Sequence, residues 1–332
     1  VVAEALAGAA AYFVQSMGWF DVNLPAQNAQ ELVTMDGYNP LVTIVNAVPS
    51  NIFSAFSSNS AILSVVVVAI ILGLGMTAFG EKAEPLKKVI VSLNDIIQWA
   101  LNFLINKIAP VAIFCMITRA FAVYGVEYIS PTLVWIATTI IVSLILVVTI
   151  YPIGIFLTTR LNPFVFLKKS AKIGLFAAAT NSSAATLPIN TKTCIEELGC
   201  SKEISSFVLP TGMTINMNGT TAMHMIAITF IGAASGMPVT PSTLVLTAFL
   251  SICTAVGTPA IPVAGTTMVY VVMMGIGFNT ELCMIAYSLI LAMNYLPGMA
   301  VITLNVIGDA ATNVIVNHKE GSLNKDIYYS KK

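Results

Sequence analysis

Long apolar stretches separated by short polar connections run the length of the chain. They cover about 1–16, 41–80, 96–124, 131–158, 173–188, 205–236, 242–275 and 282–316. A helix needs about 20 apolar residues to cross a bilayer, so the pattern predicts a multi-span helical bundle. Three of these stretches are broken in the middle. The run Thr214-Ile215-Asn216-Met217-Asn218-Gly219-Thr220 interrupts the sixth. Asn and Gly are poor helix formers that tolerate left-handed backbone, which predicts an unwound segment there. The segment 177–188 places small residues and hydroxyls at the centre of a helical pattern, and 255–265 holds Gly257, Pro259, Pro262 and Gly265. Both are expected to form re-entrant hairpins, two half-helices meeting at a small-residue tip. Two ordinary helices kinked at proline are the alternative. The stretch 41–80, with Pro49 and a Ser-rich 54–60, is expected to be segmented before a full span.

Composition agrees with a bilayer environment. Of 332 residues, 57% are hydrophobic and 9% charged, against about 25% charged in soluble domains. Fifteen basic residues balance fifteen acidic ones, which offers no basis for a nucleic-acid partner. The basic residues gather at Lys82–Lys88, Arg160–Lys172, Lys192, Lys202 and Lys319–Lys332, with Lys107 and Arg119 elsewhere. The connections 17–40, 124–131, 233–243 and 275–281 carry none. The positive-inside rule then puts the first set, and the C-terminal tail, in the cytoplasm. Under that orientation the first hairpin opens inward and the second outward, an inverted pairing expected of an alternating-access carrier. Five cysteines without a CxxC pair are expected to act as packing residues, with no disulfide between Cys194 and Cys200. The start at Val1, inside an apolar segment, is the expected mark of a fragment.

The chemistry concentrates late in the chain. Asp309 is the acid deep in the last apolar run, and an ionised carboxylate there needs a cation or a strong hydrogen-bond network. Asn305, four residues earlier, shares its helix face and can reach the same ion. Capping of a neighbouring helix, or pairing with a basic side chain, is the alternative for Asp309. His224, a turn beyond Thr220, is either a proton site or one end of an interhelical hydrogen bond. Nothing in the chain resembles an acid/base pair, an activated nucleophile or a phosphate loop, so it is expected to be a transporter and not an enzyme.

Four segments, in order, carry a family resemblance: Asn181–Pro188, Leu209–Thr220, Gly257–Gly265 and Asn305–Asp309. They resemble the serine-rich first hairpin tip, the NMDGT seventh helix, the second hairpin tip and the cation-binding end of the eighth helix of the dicarboxylate/amino acid:cation symporters. The resemblance implies an all-α membrane protein of the glutamate-transporter, elevator type, assembled as a homotrimer in the plasma membrane. Residues 1–40 would be the end of the third helix and an extracellular loop, and 41–124 scaffold and trimerisation helices. A transport domain would span 131–320, with helix six, hairpin one at 173–200, helix seven at 205–236, hairpin two at 242–275 and helix eight at 282–316. A cytoplasmic tail would follow at 321–332.

The resemblance also implies sites. Gly212 and Asn216 carbonyls would join Asn305 and Asp309 around a first sodium ion. Thr214 and Met217, with carbonyls near Ala255, Val256 and Thr258, would hold a second once hairpin two closes. The family's third site is expected to be weakened, because its acid is Asn218 here. The solute would lie among Ser182, Ser183, Thr220, Val263, Gly265, Asn294, Gly298, Val301, Ile302 and Asn305. In amino-acid members an Asp and an Arg stand where Gly298 and Val301 stand here, which argues against acidic amino acids. An earlier acid of that helix is Asn294 here, and Pro297 between them is expected to kink the segment. The expected solute is a neutral amino acid or small carboxylate. A dicarboxylate or acidic amino acid symporter with an altered site, or an uncoupled, channel-like anion leak, is the alternative.

Overall fold

The computed structural model describes residues 1–21, 48–57, 62–103, 107–108, 111, 114–115, 118, 129–258, 260 and 263–330. Arg119, Pro259, Pro262 and most of the expected loop at 17–40 lie outside the described residues. Among those described, all regular structure is helical. Early in the chain come α1 (Val2–Ser16), α2 (Ile52–Ser57), α3 (Ile62–Phe79) and α4 (Glu84–Phe103). The remainder is α5 (Ile129–Thr159), α6 (Pro163–Thr180), α7 (Ser183–Glu196), α8 (Lys202–Ile215), α9 (Asn218–Ser235), α10 (Pro241–Val256), α11 (Ala264–Gly275), α12 (Glu281–Met293), α13 (Tyr295–Lys319) and α14 (Lys325–Tyr329). Among the described residues, α5 and α13 are long and apolar enough to cross a membrane.

Helix α9 is the axis of the packing. Apolar residues surround it, and of its residues only Asn218 and Ala233 escape burial, the signature of a helix enclosed by others. Helix α1 lies along it, with Gly8 so close that an added Cβ would stand 2.9 Å from Met225 Cε. Phe20 and Trp135 close against Phe230 at ring separations of 5.7 and 6.4 Å. Hydroxyls buried in this apolar setting are satisfied by their own helices: Thr139 donates to the Trp135 carbonyl at 2.9 Å and Thr229 to that of Met225 at 2.9 Å.

The second organiser is α13, which packs on α5, α6 and α8. Side-chain amides from α13 and α7 tie these helices together. Asn190 donates to the Val306 carbonyl at 3.3 Å, Asn313 to Ser205 Oγ at 2.9 Å, and Asn317 Oδ1 accepts from the Ser201 amide at 2.7 Å. Each of these buried polar groups is paired, as an apolar interior requires.

Both breaks expected as hairpins are helix–turn–helix hairpins. The first, α6–α7, starts at Pro163, ten residues earlier than expected. Asn162 supplies the N-cap by accepting from the Phe164 amide at 3.0 Å, and Pro163 occupies the first helical position. Its tip is Asn181, left-handed at φ 47°, followed by Ser182 capping α7. The second, α10–α11, ends its tip at Val263, whose φ of 69° is an uncommon strain for a β-branched residue. The seventh helix of the expectation is two helices, α8 and α9, parted at Asn216–Met217. The eighth is likewise two, α12 and α13, parted at Asn294. The kink expected at Pro297 falls three residues earlier, because Pro297 sits in the first turn of α13, where its missing N–H costs little.

The tail after α13 folds back as a clasp. Lys169, buried on α6, donates its ammonium to the carbonyls of Glu197, Ile327 and Tyr328 at 2.8, 2.9 and 2.8 Å. Tyr328 is fully buried and donates to the Asn162 carbonyl at 3.0 Å, while the Asn324 amide meets the Gly199 carbonyl at 2.8 Å. Lys172 pairs with Glu197 beside them. Lys169→Met should leave three carbonyls without their donor, at about 1–3 kcal/mol each where water cannot replace it. The expected outcome is a melting temperature lowered by several degrees and faster protease cleavage after Lys319; an unchanged melt and cleavage rate would contradict the clasp.

Candidate functional site

Unwinding between α8 and α9 leaves the ends of two half-helices inside the bundle, and α13 supplies what their backbone lacks. Asn305 Oδ1 accepts from the Gly219 amide at 2.7 Å, and its Nδ2 donates to Thr220 Oγ1 at 3.2 Å with Met217 Sδ at 3.5 Å. Asn216 caps α8 and turns its amide to Asp309 Oδ1 at 2.8 Å and the Asn305 carbonyl at 3.3 Å. Gly212 faces the same carboxylate so closely that a Cβ would stand 2.6 Å from Asp309 Oδ1. The sequence therefore brings Gly212, Asn216, Asn305 and Asp309 together. Asp309 is 2% exposed, and among the described residues no basic side chain forms an ion pair with it. The Asp309 carboxylate and the Asn305 carbonyl gathered here are oxygens of the kind a hard monovalent cation prefers.

Geometry differs from the expectation in detail. Asn216 approaches Asp309 through its side-chain amide, while the Gly212 carbonyl accepts the Asn216 amide at 2.7 Å. For the second ion, Met217 is buried, but Thr214 and Val256 are exposed, Thr214 Oγ1 bonds its own helix at Thr211, and the Ala255 carbonyl accepts from Thr258 at 3.1 Å. Asn218 donates to the Tyr151 hydroxyl at 3.3 Å, and that hydroxyl donates to the Leu304 carbonyl at 2.9 Å. Asn218 thus contacts a neutral partner. His224 is buried and its Nε2 pairs with the Gly265 carbonyl at 2.8 Å, joining α9 to the second arm of hairpin two.

Beside the helix break lies a small, partly open cavity. Thr220, Val263, Gly265, Asn294, Gly298, Val301 and Ile302 of the expected solute set line it, with Met217 and Thr258 from the expected ion set. Asn305 stands behind this wall, and Ser182 and Ser183 stand at the hairpin tip above it. Ser182 Oγ donates to the Ala260 carbonyl at 3.1 Å, so the two tips touch. Sequence reasoning missed Asn181, Met223, Ala260 and Thr266 in the lining, and Tyr151 behind Asn218. Asn181 was readable as a helix C-cap, since asparagine favours the left-handed residue there. The others carry no chemical signature that distinguishes them from packing residues.

This is the architecture of a helical membrane carrier, in which broken helices and paired hairpins surround a polar cavity. The profile of the sodium:dicarboxylate symporter family matches residues 1–319, and the chain belongs to that family. It is similar to excitatory amino acid transporter 2 of Homo sapiens, at 30% identity over 265 residues, covering 79% of this chain and 45% of that protein. An excitatory amino acid transporter of Caenorhabditis elegans is 29% identical over 266 residues, covering 79% and 52%. Excitatory amino acid transporter 1 of Homo sapiens is 31% identical over 258 residues, covering 77% and 47%. The chain spans about half the length of these relatives.

Asn305→Leu keeps the volume but removes the acceptor from the Gly219 amide and the donor from Thr220. An unpaired buried donor costs about 1–3 kcal/mol, so the melting temperature should drop by several degrees. A scanning melt in detergent checks this, and Asn305→Asp, which keeps the acceptor, should recover part of the loss.

Proposed function

We propose that this chain carries out sodium-coupled symport of a small organic solute, a neutral amino acid or small monocarboxylate, by alternating access. One observation carries the reading: Asp309, a buried carboxylate with no basic partner among the described residues, stands at a helix break beside an uncharged cavity roofed by two hairpin tips. An ionised carboxylate in such a place costs several kcal/mol unless a cation arrives with it. A sodium ion held by Asp309 and Asn305, near Gly212 and Asn216, supplies that compensation. Met217, Asn305 and Thr220 then link the ion's surroundings to the solute cavity within one hydrogen-bonded cluster.

Coupling follows if closure of hairpin two favours the doubly loaded state. Binding shifts a conformational equilibrium only by its differential affinity for the two forms. The Ala260 carbonyl, on which Ser182 Oγ and the Ala184 amide converge, is the contact such closure makes. Backbone donors at the starts of α7 and α11 suit one carboxylate of the solute. The proposed frame is a homotrimer in the cell membrane, with 41–124 as scaffold and 131–320 as the moving unit. One or two sodium ions are proposed, the third site being weakened by Asn218. Transport of a dicarboxylate is the second reading, favoured by the family's description. The lack of any basic residue among the described residues lining the cavity weighs against it.

Thermal stabilisation of the purified protein across neutral amino acids, monocarboxylates and dicarboxylates, with sodium or choline, tests the reading. Linkage makes a specific ligand visible as a raised melting temperature, by about 2.7 kcal/mol at one hundred times Kd. The expected outcome is a shift that needs both sodium and one uncharged-side-chain solute and disappears in Asp309→Asn. A solute shift equal in choline, or retained in Asp309→Asn, would refute sodium coupling through this site.

A further inference from the structure

Hairpin two is fastened on both sides of a strained residue. Its tip reaches hairpin one through the Ala260 carbonyl, which accepts from Ser182 Oγ at 3.1 Å and from the Ala184 amide at 3.4 Å. Its second arm, α11, is fastened to α9 at Gly265, just past Val263. An added Cβ on Gly265 would stand 3.0 Å from Thr220 Cγ2, so a bare Cα lets the first turn of α11 lie this close to α9. The Gly265 carbonyl then meets His224 Nε2 at 2.8 Å. A carbonyl only accepts, so Nε2 carries the shared proton. The other ring nitrogen, Nδ1, is buried without a hydrogen-bond partner, so among the described residues Gly265 is the ring's one hydrogen-bonding contact.

Between the two fastenings stands Val263, left-handed at φ 69°. Its carbonyl accepts from the Thr266 and Thr267 amides at 3.0 and 3.1 Å, which starts α11 directly after that backbone angle. A left-handed backbone crowds a β-branched side chain, and it persists only where surrounding contacts impose it. Here those contacts are the hydrogen bonds at Ala260 and Gly265. With either one released, Val263 is free to relax, and the arm cannot reseat without straining it again. The second fastening also touches the proposed ion cluster, because Thr220, on which Gly265 rests, accepts from Asn305 Nδ2 at 3.2 Å.

We propose that His224 is a positioning residue: its Nε2–H latches the second arm of hairpin two onto α9, against strain stored at Val263 that drives the arm open when the latch lets go. This deepens the symport reading, in which hairpin two closes over the loaded site, by naming what holds the hairpin closed and what reopens it. The test is hydrogen–deuterium exchange of the full chain in detergent, read by mass spectrometry on peptides of α11, with peptides of α5 as the internal control. Exchange at such amides reports local opening. His224→Leu should speed exchange in α11 at least about tenfold, through loss of a buried hydrogen bond, and leave α5 unchanged. His224→Gln, whose amide puts a donor where Nε2 stands, should restore protection, and His224→Asn, too short to reach, should not. A ring that merely fills space would not separate those two variants. Val263→Gly, which adopts the left-handed angle without strain, should slow exchange several-fold below that of the unaltered protein. All variants are compared within one sodium or choline bath, so the latch can fail while the melting shifts that test symport succeed, and the reverse. Unchanged exchange in His224→Leu, or equal protection in the Asn and Gln variants, would overturn the latch. Exchange in Val263→Gly as fast as in the unaltered protein would overturn the stored strain. Where His224→Leu fails to fold, the Asn and Gln pair decides the latch.

Discussion

Every feature of the site depends on one constraint: a backbone that stops being helical inside an apolar bundle must find its hydrogen bonds elsewhere. At Asn216–Met217 the chain leaves α8 and re-enters as α9, and Asn305 makes the junction possible by serving the Gly219 amide with one end of its side chain and Thr220 with the other. That single side chain fixes the angle between two half-helices against α13. It also places Asp309, one turn further along, against Gly212 and Asn216. A polar cluster of this kind is fully connected or ruinous, because a low-dielectric interior strengthens satisfied bonds and penalises orphaned groups alike. Among the described residues, Asn294 Oδ1, Ser183 Oγ and His224 Nδ1 are buried near the cavity and the hairpins without a hydrogen-bond partner.

Much of this was legible in the sequence because the signals were strong locally. Asn-Met-Asn-Gly in an apolar run can hardly be read other than as a break, and the two small-residue tips announced hairpins for the same reason. Asp309 and Asn305 stood out through charge and spacing. Elsewhere, local rules were present and outweighed by a louder signal. Asn162-Pro163 is a good helix start, yet hydropathy placed the first hairpin ten residues later because Lys168, Lys169 and Lys172 made its opening turns look like a loop. Pro297 was read as the kink, while Asn294, able to end one helix and precede the next, does that work.

The rest could not be read, because it belongs to contacts between distant segments. Lys169 was one of a cluster of cytoplasmic charges, and charge alone does not reveal that its ammonium is enclosed by three carbonyls. Tyr151 was one aromatic residue in a 31-residue apolar helix until its hydroxyl was seen to sit between Asn218 and the Leu304 carbonyl. The substrate cavity shows the same limit: the loss of the Asp and Arg expected at 298 and 301 was visible at once, whereas the approach of Asn181 from another hairpin was not.

The clasp has a consequence for the order of synthesis. Lys169 and its carbonyl partner Ile327 lie 158 residues apart in the chain. At about 5–20 residues per second, the ribosome needs roughly 8–30 seconds to make the second after the first. For that interval the ammonium lacks its partners at Ile327 and Tyr328, and the Glu197 carbonyl is the partner it can reach. Final seating of the hairpin base therefore waits for residues 324–330, so that the helices around the site are made before the segment that closes that base.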